Sequence, residues 1–255
     1  KAEGSVVTQN GKTALLQALY ASDLITAHLL IHLGADVNVT DRASDRFGWS
    51  PLMIASDENL VEVMALLILS GADVNAKNAF GLTSLLAAIY GGYDEAAQLL
   101  LQNGANANVK DQRWFMSPLK IAVDKQKKEL VKLMLSKGAD PNGFDEAGWP
   151  PLAHSIEKGY REIAILLINA GANVNPKREF PSPLRTAARK GYVEIIELLI
   201  EKGADVNARE QFVGWTPLLY ALDSGHQDAA EILIKRGADV NLRIITDAPL
   251  HLALK

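Results

Sequence analysis

Gly34-Ala35-Asp36-Val37-Asn38 is the first of seven near copies of one pentapeptide in this chain of 255 residues. The copies begin at Gly34, Gly71, Gly104, Gly138, Gly171, Gly203 and Gly237, so successive starts lie 37, 33, 34, 33, 32 and 34 residues apart. A period this regular indicates that one supersecondary unit is stacked repeatedly. Stacked units create long exposed faces instead of one deep pocket, which favours surface recognition over catalysis.

A second phrase, Thr/Ser-Pro-Leu-x-x-Ala or a decayed form of it, keeps the same period. It begins at Thr13, Ser50, Thr83, Ser117, Pro150, Ser182, Thr216 and Ala248. Through these two phrases the chain resembles the ankyrin-repeat family, whose signature is Thr-Pro-Leu-His-x-Ala in a unit of about 33 residues. The resemblance implies an all-α repeat solenoid, a curved stack of helix-turn-helix units with β-hairpin fingers between them.

The two phrases divide the chain into seven units and a partial eighth. These units are residues 1–40, 41–77, 78–110, 111–144, 145–177, 178–209, 210–243 and 244–255. Because the period is unbroken, we expect a single elongated domain over 1–255, held together by contacts between neighbouring units. The eighth unit stops before a second helix, which leads us to expect that the native chain continues.

The unit 78–110 shows the physical logic of the repeat. Thr83 is the predicted N-cap of a short first helix, because its hydroxyl can accept from the amides of the first turn. A second helix is predicted from Asp94 to Gln102, with an apolar stripe at helical spacing. Gly104 is expected to end that helix in the left-handed conformation. The Asn that closes each pentapeptide is expected to hydrogen-bond the backbone of the finger.

Composition excludes several kinds of protein. The chain has no cysteine, which rules out disulfides, zinc-thiolate sites and a cysteine nucleophile. No apolar run approaches the roughly 18 residues of a membrane span. A formal net charge of −4 does not favour nucleic-acid binding. The charge is uneven, since residues 1–109 hold 5 basic and 11 acidic residues and residues 110–255 hold 21 and 19, which would help to steer a charged partner.

No catalytic, metal or cofactor site is indicated. His28 and His32 are four residues apart on one predicted helix, but the third ligand that a metal needs is missing apart from Asp36. The glycines recur singly as helix stops and form no phosphate-binding loop. We therefore expect a protein that is not an enzyme and needs no cofactor. The compartment stays open because the sequence begins at Lys1 and not at Met, with the cytoplasm slightly favoured over secretion or the periplasm.

The aromatic residues carry the strongest functional signal, because all four Trp and all six Phe fall in finger segments and none in a predicted helix. Exposed aromatic anchors dominate protein-binding energetics. The predicted partner-binding residues are Phe47, Trp49, Phe80, Trp114, Phe115, Trp149, Phe180, Phe212 and Trp215, with Arg185, Arg189 and Lys190 as a charged flank on a first helix. Packing against an adjacent finger stays an equal alternative for Trp149 and Trp215, whereas exposure is favoured for Trp114 and Phe115.

We expect a monomeric scaffold that binds another protein through its fingers and its concave first-helix face, a role that the family resemblance implies. One alternative is a regulatory or targeting arm of a larger enzyme or channel. Another is nucleotide or nucleic-acid binding, with bases stacked on finger aromatics beside Arg113, Lys177 and Arg178. The acidic net charge and the missing phosphate loop argue against that alternative. The identity of the partner is not indicated.

Overall fold

The computed structural model describes residues 13–42, 46–110, 116–143, 149–176, 182–210 and 214–241. These ranges contain fourteen α-helices and no β-strand, so the all-α repeat prediction is confirmed. The first helices of the units are α1 (Ala14–Tyr20), α3 (Pro51–Asp57), α5 (Ser84–Gly91), α7 (Pro118–Asp124), α9 (Pro151–Lys158), α11 (Pro183–Lys190) and α13 (Pro217–Asp223). The second helices are α2 (Leu24–His32), α4 (Val61–Leu69), α6 (Asp94–Gln102), α8 (Lys128–Ser136), α10 (Arg161–Asn169), α12 (Val193–Glu201) and α14 (Gln227–Lys235).

The helices pack within two compact bodies, Lys1–Asp140 and Pro141–Lys255. In the first body, α1, α3, α5 and α7 form one row of neighbours, and α2, α4, α6 and α8 form a second row. In the second body the rows are α9, α11 and α13, and α10, α12 and α14. Each helix has only seven to nine residues, so its stability depends on these neighbours. One domain over the whole chain stays a prediction.

The first helices begin where the sequence phrase predicts. The Thr83 hydroxyl accepts a hydrogen bond from the Leu86 N–H at 3.3 Å, which confirms the predicted N-cap. The Ser50 hydroxyl accepts from the Met53 N–H at 3.2 Å in the same way. Pro51 follows directly in the first turn, where its missing N–H and fixed φ cost nothing.

Each second helix ends two residues before the glycine that begins the pentapeptide. In the unit 78–110 the helix spans Asp94–Gln102, as predicted, and Gly104 follows with a φ of +86°. An added Cβ at Gly104 would meet nothing within 4 Å. The left-handed backbone, and not crowding, therefore requires glycine here.

Lys120 on α7 is buried although it carries a charge. Only 1% of its surface is exposed. The ammonium donates to both carboxylate oxygens of Asp124, at 2.7 and 2.8 Å. A buried charge is tolerated when it is paired and hydrogen-bonded, which is what Asp124 one turn along the helix provides.

Candidate protein-binding surface

Six of the seven asparagines that close a pentapeptide bond the backbone of the next pentapeptide, where a bond to the finger was expected. The Asn75 side-chain amide donates to the Gly104 carbonyl at 3.0 Å and accepts from the Asn106 N–H at 2.7 Å. The same pair of bonds joins Asn38 to Gly71 and Asp73, Asn108 to Gly138 and Asp140, Asn175 to Gly203 and Asp205, and Asn207 to Gly237 and Asp239. These asparagines therefore connect neighbouring units and are committed to the fold.

The fingers that the structure describes are hydrogen-bonded turns. In the finger of the second unit, the Asp41 N–H donates to the Trp49 carbonyl at 2.9 Å and the Gly48 N–H donates to the Asp41 carbonyl at 2.7 Å. Equivalent pairs of bonds close the finger at Asn78, Gly81 and Leu82 and the finger at Glu210, Gly214 and Trp215. The β-hairpins that the resemblance implied are absent from the described ranges, because the paired bonds close each turn without extending into strands.

Two phenylalanines stand exposed at the tips of adjacent fingers. Phe47 precedes Gly48, and Phe80 precedes Gly81, so the two rings hold the same position in their turns. Phe47 is 52% exposed and Phe80 is 59% exposed. An added Cβ on Gly48 would lie 3.4 Å from the Asn78 Cβ, which shows that the two fingers touch. We call Phe47 and Phe80 the Phe pair.

Trp49 lies half-buried in a cluster around Arg46. The guanidinium carbon of Arg46 lies 4.9 Å from the centroid of the Trp49 ring and 5.7 Å from that of Tyr20, within the range of cation–π attraction. Its Nη2 lies 3.0 Å from Asp57 Oδ2 and 3.2 Å from Glu58 Oε1. Burial raises the pKa of Asp57, while the Arg46 charge opposes that rise. The finger thus partly neutralises the acidic pair on the first helix.

The buried Asp41 anchors the same finger to α1. Its side chain is fully buried, and its carboxylate accepts a hydrogen bond of 2.6 Å from the Tyr20 hydroxyl at the end of α1. Its backbone makes the paired bonds with Trp49 and Gly48 that close the turn. Asp41 therefore ties the finger to the preceding unit through both its side chain and its backbone.

Trp215 lies half-buried in the second body beside Tyr220, and Tyr220 contacts a different arginine. The Trp215 ring meets the Tyr220 ring edge-on, with centroids 5.1 Å apart and an interplanar angle of 62°. The Arg185 guanidinium lies 5.2 Å from the Tyr220 centroid, and its Nη1 is 3.8 Å from Glu210 Oε1. Burial raises the pKa of the Tyr220 hydroxyl, against the opposing charge of Arg185. The rings, the arginine and the finger carboxylate form one continuous surface.

The predicted charged flank is ion-paired. Arg189 Nη2 donates to both carboxylate oxygens of Glu157, at 2.9 and 2.7 Å, and Lys190 Nζ lies 3.4 Å from Glu157 Oε1. Partial burial alone would raise the pKa of Glu157, but the hydrogen bonds and charges of Arg189 and Lys190 hold that pKa below its ordinary value. These cations therefore face a carboxylate of the neighbouring first helix as well as solvent.

The structure brings together only part of the predicted aromatic row. Phe47 and Phe80 are exposed, whereas Trp49, Trp149 and Trp215 are half-buried. The residues Trp114, Phe115, Phe180 and Phe212, and the Arg113, Lys177 and Arg178 of the nucleotide alternative, lie outside the described residues. Sequence reasoning missed the role of Arg46, although its place beside Phe47 in the longest finger was a signal.

The described ranges hold no group of three His, Asp or Glu residues arranged to bind a metal ion. None of their helices is long and apolar enough to cross a bilayer.

The chain belongs to the ankyrin-repeat family. The family model described as ankyrin repeats (3 copies) matches residues 41–111, 84–178 and 176–244, and the model of the single ankyrin repeat matches residues 10–42. The fold is accordingly an ankyrin-repeat solenoid. Ankyrin repeats are protein–protein interaction domains, and members of the family are generally non-catalytic.

Individual proteins resemble the chain over different lengths. It is 28% identical over 169 residues to the putative ankyrin repeat protein YahD of Escherichia coli, which covers 64% of this chain and 82% of that protein. It is 44% identical over 59 residues to human protein phosphatase 1 regulatory subunit 27, covering 22% and 38%. The solved ankyrin repeat domain of Bcl-3, a member of the IkappaB family, superposes with a TM-score of 0.67 at 26% identity, covering 89% of this chain and all of that domain.

The relatives differ greatly in overall length. The chain spans most of the E. coli protein but only 6%, 38% and 7% of the next three curated relatives that it matches. Ankyrin segments of this kind therefore occur both as nearly whole proteins and as parts of longer ones.

Proposed function

We propose that the chain is a non-catalytic scaffold that binds a partner protein through its fingers and the face formed by its first helices. The observation that carries this proposal is the Phe pair. Two large aromatic rings stand more than half exposed on adjacent fingers, and the turns that hold them are closed by backbone hydrogen bonds and by the Asn78 and Asp41 side chains. Because none of these bonds involves the rings, their exposure is best explained by a contact surface.

A half-buried tryptophan in each body supports binding of a partner. Trp49 in the first body and Trp215 in the second each keep part of the ring accessible, while an arginine lies within cation–π distance of the ring or of its aromatic neighbour. Tryptophan, tyrosine and arginine are the residues most enriched among energetic hot spots of protein interfaces. A half-buried ring is also pre-organised, so little side-chain entropy is lost when a partner binds.

The chain also supports a narrower form of this proposal, in which it acts as the regulatory or targeting arm of a larger assembly. Human protein phosphatase 1 regulatory subunit 27 is named as a regulatory subunit, and the most similar stretch of it is 44% identical to this chain. A regulatory arm and a free scaffold would use the same surface. They differ in whether the partner is covalently attached or separate.

The Phe pair provides the experiment. The full chain and its F47A/F80A variant are immobilised, and proteins retained from the native source are compared by mass spectrometry. Alanine substitution at two interface anchors is expected to weaken capture by about thirtyfold or more, while thermal unfolding stays within about 0.5 kcal/mol of wild type. The matched control is L69S, because Leu69 is an 84% exposed apolar residue on a second helix, α4, and not in a finger.

Specific retention by wild type and L69S, together with loss by F47A/F80A, supports the proposal. If F47A/F80A retained the same proteins as wild type, the Phe pair would not be a binding surface. If it unfolded several degrees earlier, the rings would belong to the fold.

A further inference from the structure

An exposed surface of the second body carries more positive than negative charge. We call four side chains on its first helices the basic patch: Lys158 on α9, and Arg185, Arg189 and Lys190 on α11. Among the residues that the structure describes, the carboxylates within ion-pair distance of these cations are those of Glu157 and Glu210, and Lys158 makes no ion pair. The four cations of the basic patch therefore outnumber the two carboxylates described beside them.

Glu157 shows how the basic patch can hold a carboxylate. Arg189 Nη2 donates to both of its oxygens, and the Lys190 ammonium stands nearby at 3.4 Å. Arginine favours carboxylates because its planar guanidinium presents donors in a fixed fork. The side chains of Arg189, Glu157 and Lys190 are 42%, 34% and 31% exposed. Ion pairs this exposed contribute little net stability, so an incoming carboxylate can take the place of Glu157 at small cost.

The basic patch continues into the aromatic surface of the Trp215 finger. Arg185 lies over the Tyr220 ring, and that ring contacts Trp215 edge-on. A segment that lies along α11 would therefore meet charged and aromatic groups in succession. Interfaces commonly combine such anchors, with a desolvated ring at the centre and charged groups that set orientation.

We propose that the basic patch docks an acidic segment of the partner protein, whose carboxylates replace Glu157 on Arg189 and Lys190. This inference rests on the proposed function, because it names the chemistry of the segment that the first-helix face binds. Glu157 then competes with the partner's carboxylates. It holds Arg189 in position when no partner is bound, and the same contact weakens binding of the acidic segment. The net charge of −4 and the carboxylates beside the patch favour a short acidic peptide over the continuous charge of a nucleic acid.

The experiment measures fluorescence anisotropy of a labelled peptide of consecutive Glu residues, with an uncharged Gln peptide of the same length as control. The full chain is compared with E157Q, with R189A/K190A, and with K235A, which removes an exposed lysine of the second helix α14. Circular dichroism of each variant checks that the fold is retained.

We expect the Glu peptide to bind and the Gln peptide not to bind. E157Q should tighten binding by about threefold or more, R189A/K190A should weaken it by about tenfold, and K235A should leave it unchanged. A gain for E157Q supports competition by Glu157 for Arg189 and Lys190, whereas a loss would show that Glu157 is needed to hold Arg189 in place. Unchanged or weaker binding by E157Q, or equal binding of the Gln peptide, would overturn the inference, as would tighter binding of a single-stranded oligothymidine.

The outcome is separable from that of the proposed function. Suppose that F47A/F80A no longer captures a partner, but that E157Q and R189A/K190A capture it as wild type does. This result would refute docking of an acidic segment and leave the scaffold role intact. If the peptide bound with the expected order of variants but no partner depended on the Phe pair, docking of an acidic segment would be supported and the Phe pair would be refuted as a binding surface.

Discussion

The Trp49 finger and the Trp215 finger share one backbone design but obtain their charged partner differently. Both turns are closed by reciprocal bonds from an acidic residue, Asp41 in one and Glu210 in the other. In the first, the finger itself supplies Arg46, which contacts two carboxylates at 3.0 and 3.2 Å. In the second, the arginine belongs to a neighbouring first helix and is 3.8 Å from its carboxylate.

This difference distinguishes the turn geometry, which the repeat fixes, from the charged contacts, which vary from finger to finger. The repeat fixes the turn and the position of the ring before the Ser/Thr-Pro pair. The charged residues that are specific to each finger and its neighbouring helix decide how much charge remains available to a partner. In the Trp49 finger the arginine faces the acidic pair at the end of α3, whereas in the second body three cations of α11, Arg185, Arg189 and Lys190, are paired with two described carboxylates, Glu157 and Glu210.

The largest expected effect comes from removing the two acidic anchors. D41A removes a buried carboxylate and leaves the Tyr20 hydroxyl without the 2.6 Å bond, so we expect a loss of about 2 kcal/mol in the free energy of unfolding. E210A removes a carboxylate that keeps part of its surface in solvent and lies 3.8 Å from the Arg185 Nη1, so it should cost less than about 1 kcal/mol. Urea unfolding followed by circular dichroism measures both. Equal losses would show that the fingers are anchored alike.

A smaller effect is expected from removing the two arginines. R46A loses contacts with two rings and two carboxylates, so we expect a loss of about 1 kcal/mol in the free energy of unfolding. R185A loses one ring contact and one longer ion pair, and its loss should be about half as large. The same urea titrations rank the two variants, and a larger loss for R185A would contradict the comparison.

The smallest effect concerns pH, and it has opposite signs in the two bodies. The pKa of Glu157 is lowered from 4.5 by Arg189 and Lys190, so its stabilising contribution is present above pH 4.5 and is lost as the pH falls through the lowered value. The pKa of Asp57 is raised from 3.8 by burial, so its contribution to stability increases as the pH falls through the raised value.

The matched variants test these signs. Relative to wild type, E157Q should lose less stability on acidification, whereas D57N should lose more, because each removes one titrating group. Thermal unfolding between about pH 7 and pH 3.5 records both slopes. Parallel curves for wild type, E157Q and D57N would show that neither carboxyl is perturbed in the folded chain.

The regular part of the fold was predictable because local signals repeat along the chain. The bounds Asp94–Gln102 and the Thr83 cap agree with the sequence-based prediction, since caps and glycine stops act within a few residues. The hydrogen-bond partners of the Asn75 side chain were not predictable in the same way, because they lie about one unit further along the sequence. Contacts of that range depend on how neighbouring units pack.

Only part of the predicted binding surface could be derived from the sequence, because contacts between distant residues depend on how the units pack. Exposure of Phe47 and Phe80 followed from their place in the fingers, since no helix is available there to bury them. The pairing of Arg189 with Glu157, 32 residues earlier in the sequence, required the spatial register of α9 and α11. The burial of Lys120 likewise depends on packing around α7 that its charge alone does not reveal.

Photo-crosslinking from position 80 tests the central claim most directly. A benzophenone amino acid is placed at Phe80, and in a separate protein at Leu69, and each full chain is irradiated in extract from the native source. The scaffold account predicts a discrete crosslinked protein from position 80 that is absent from position 69. The same products from both positions, or none from position 80 while the chain remains folded, would contradict it.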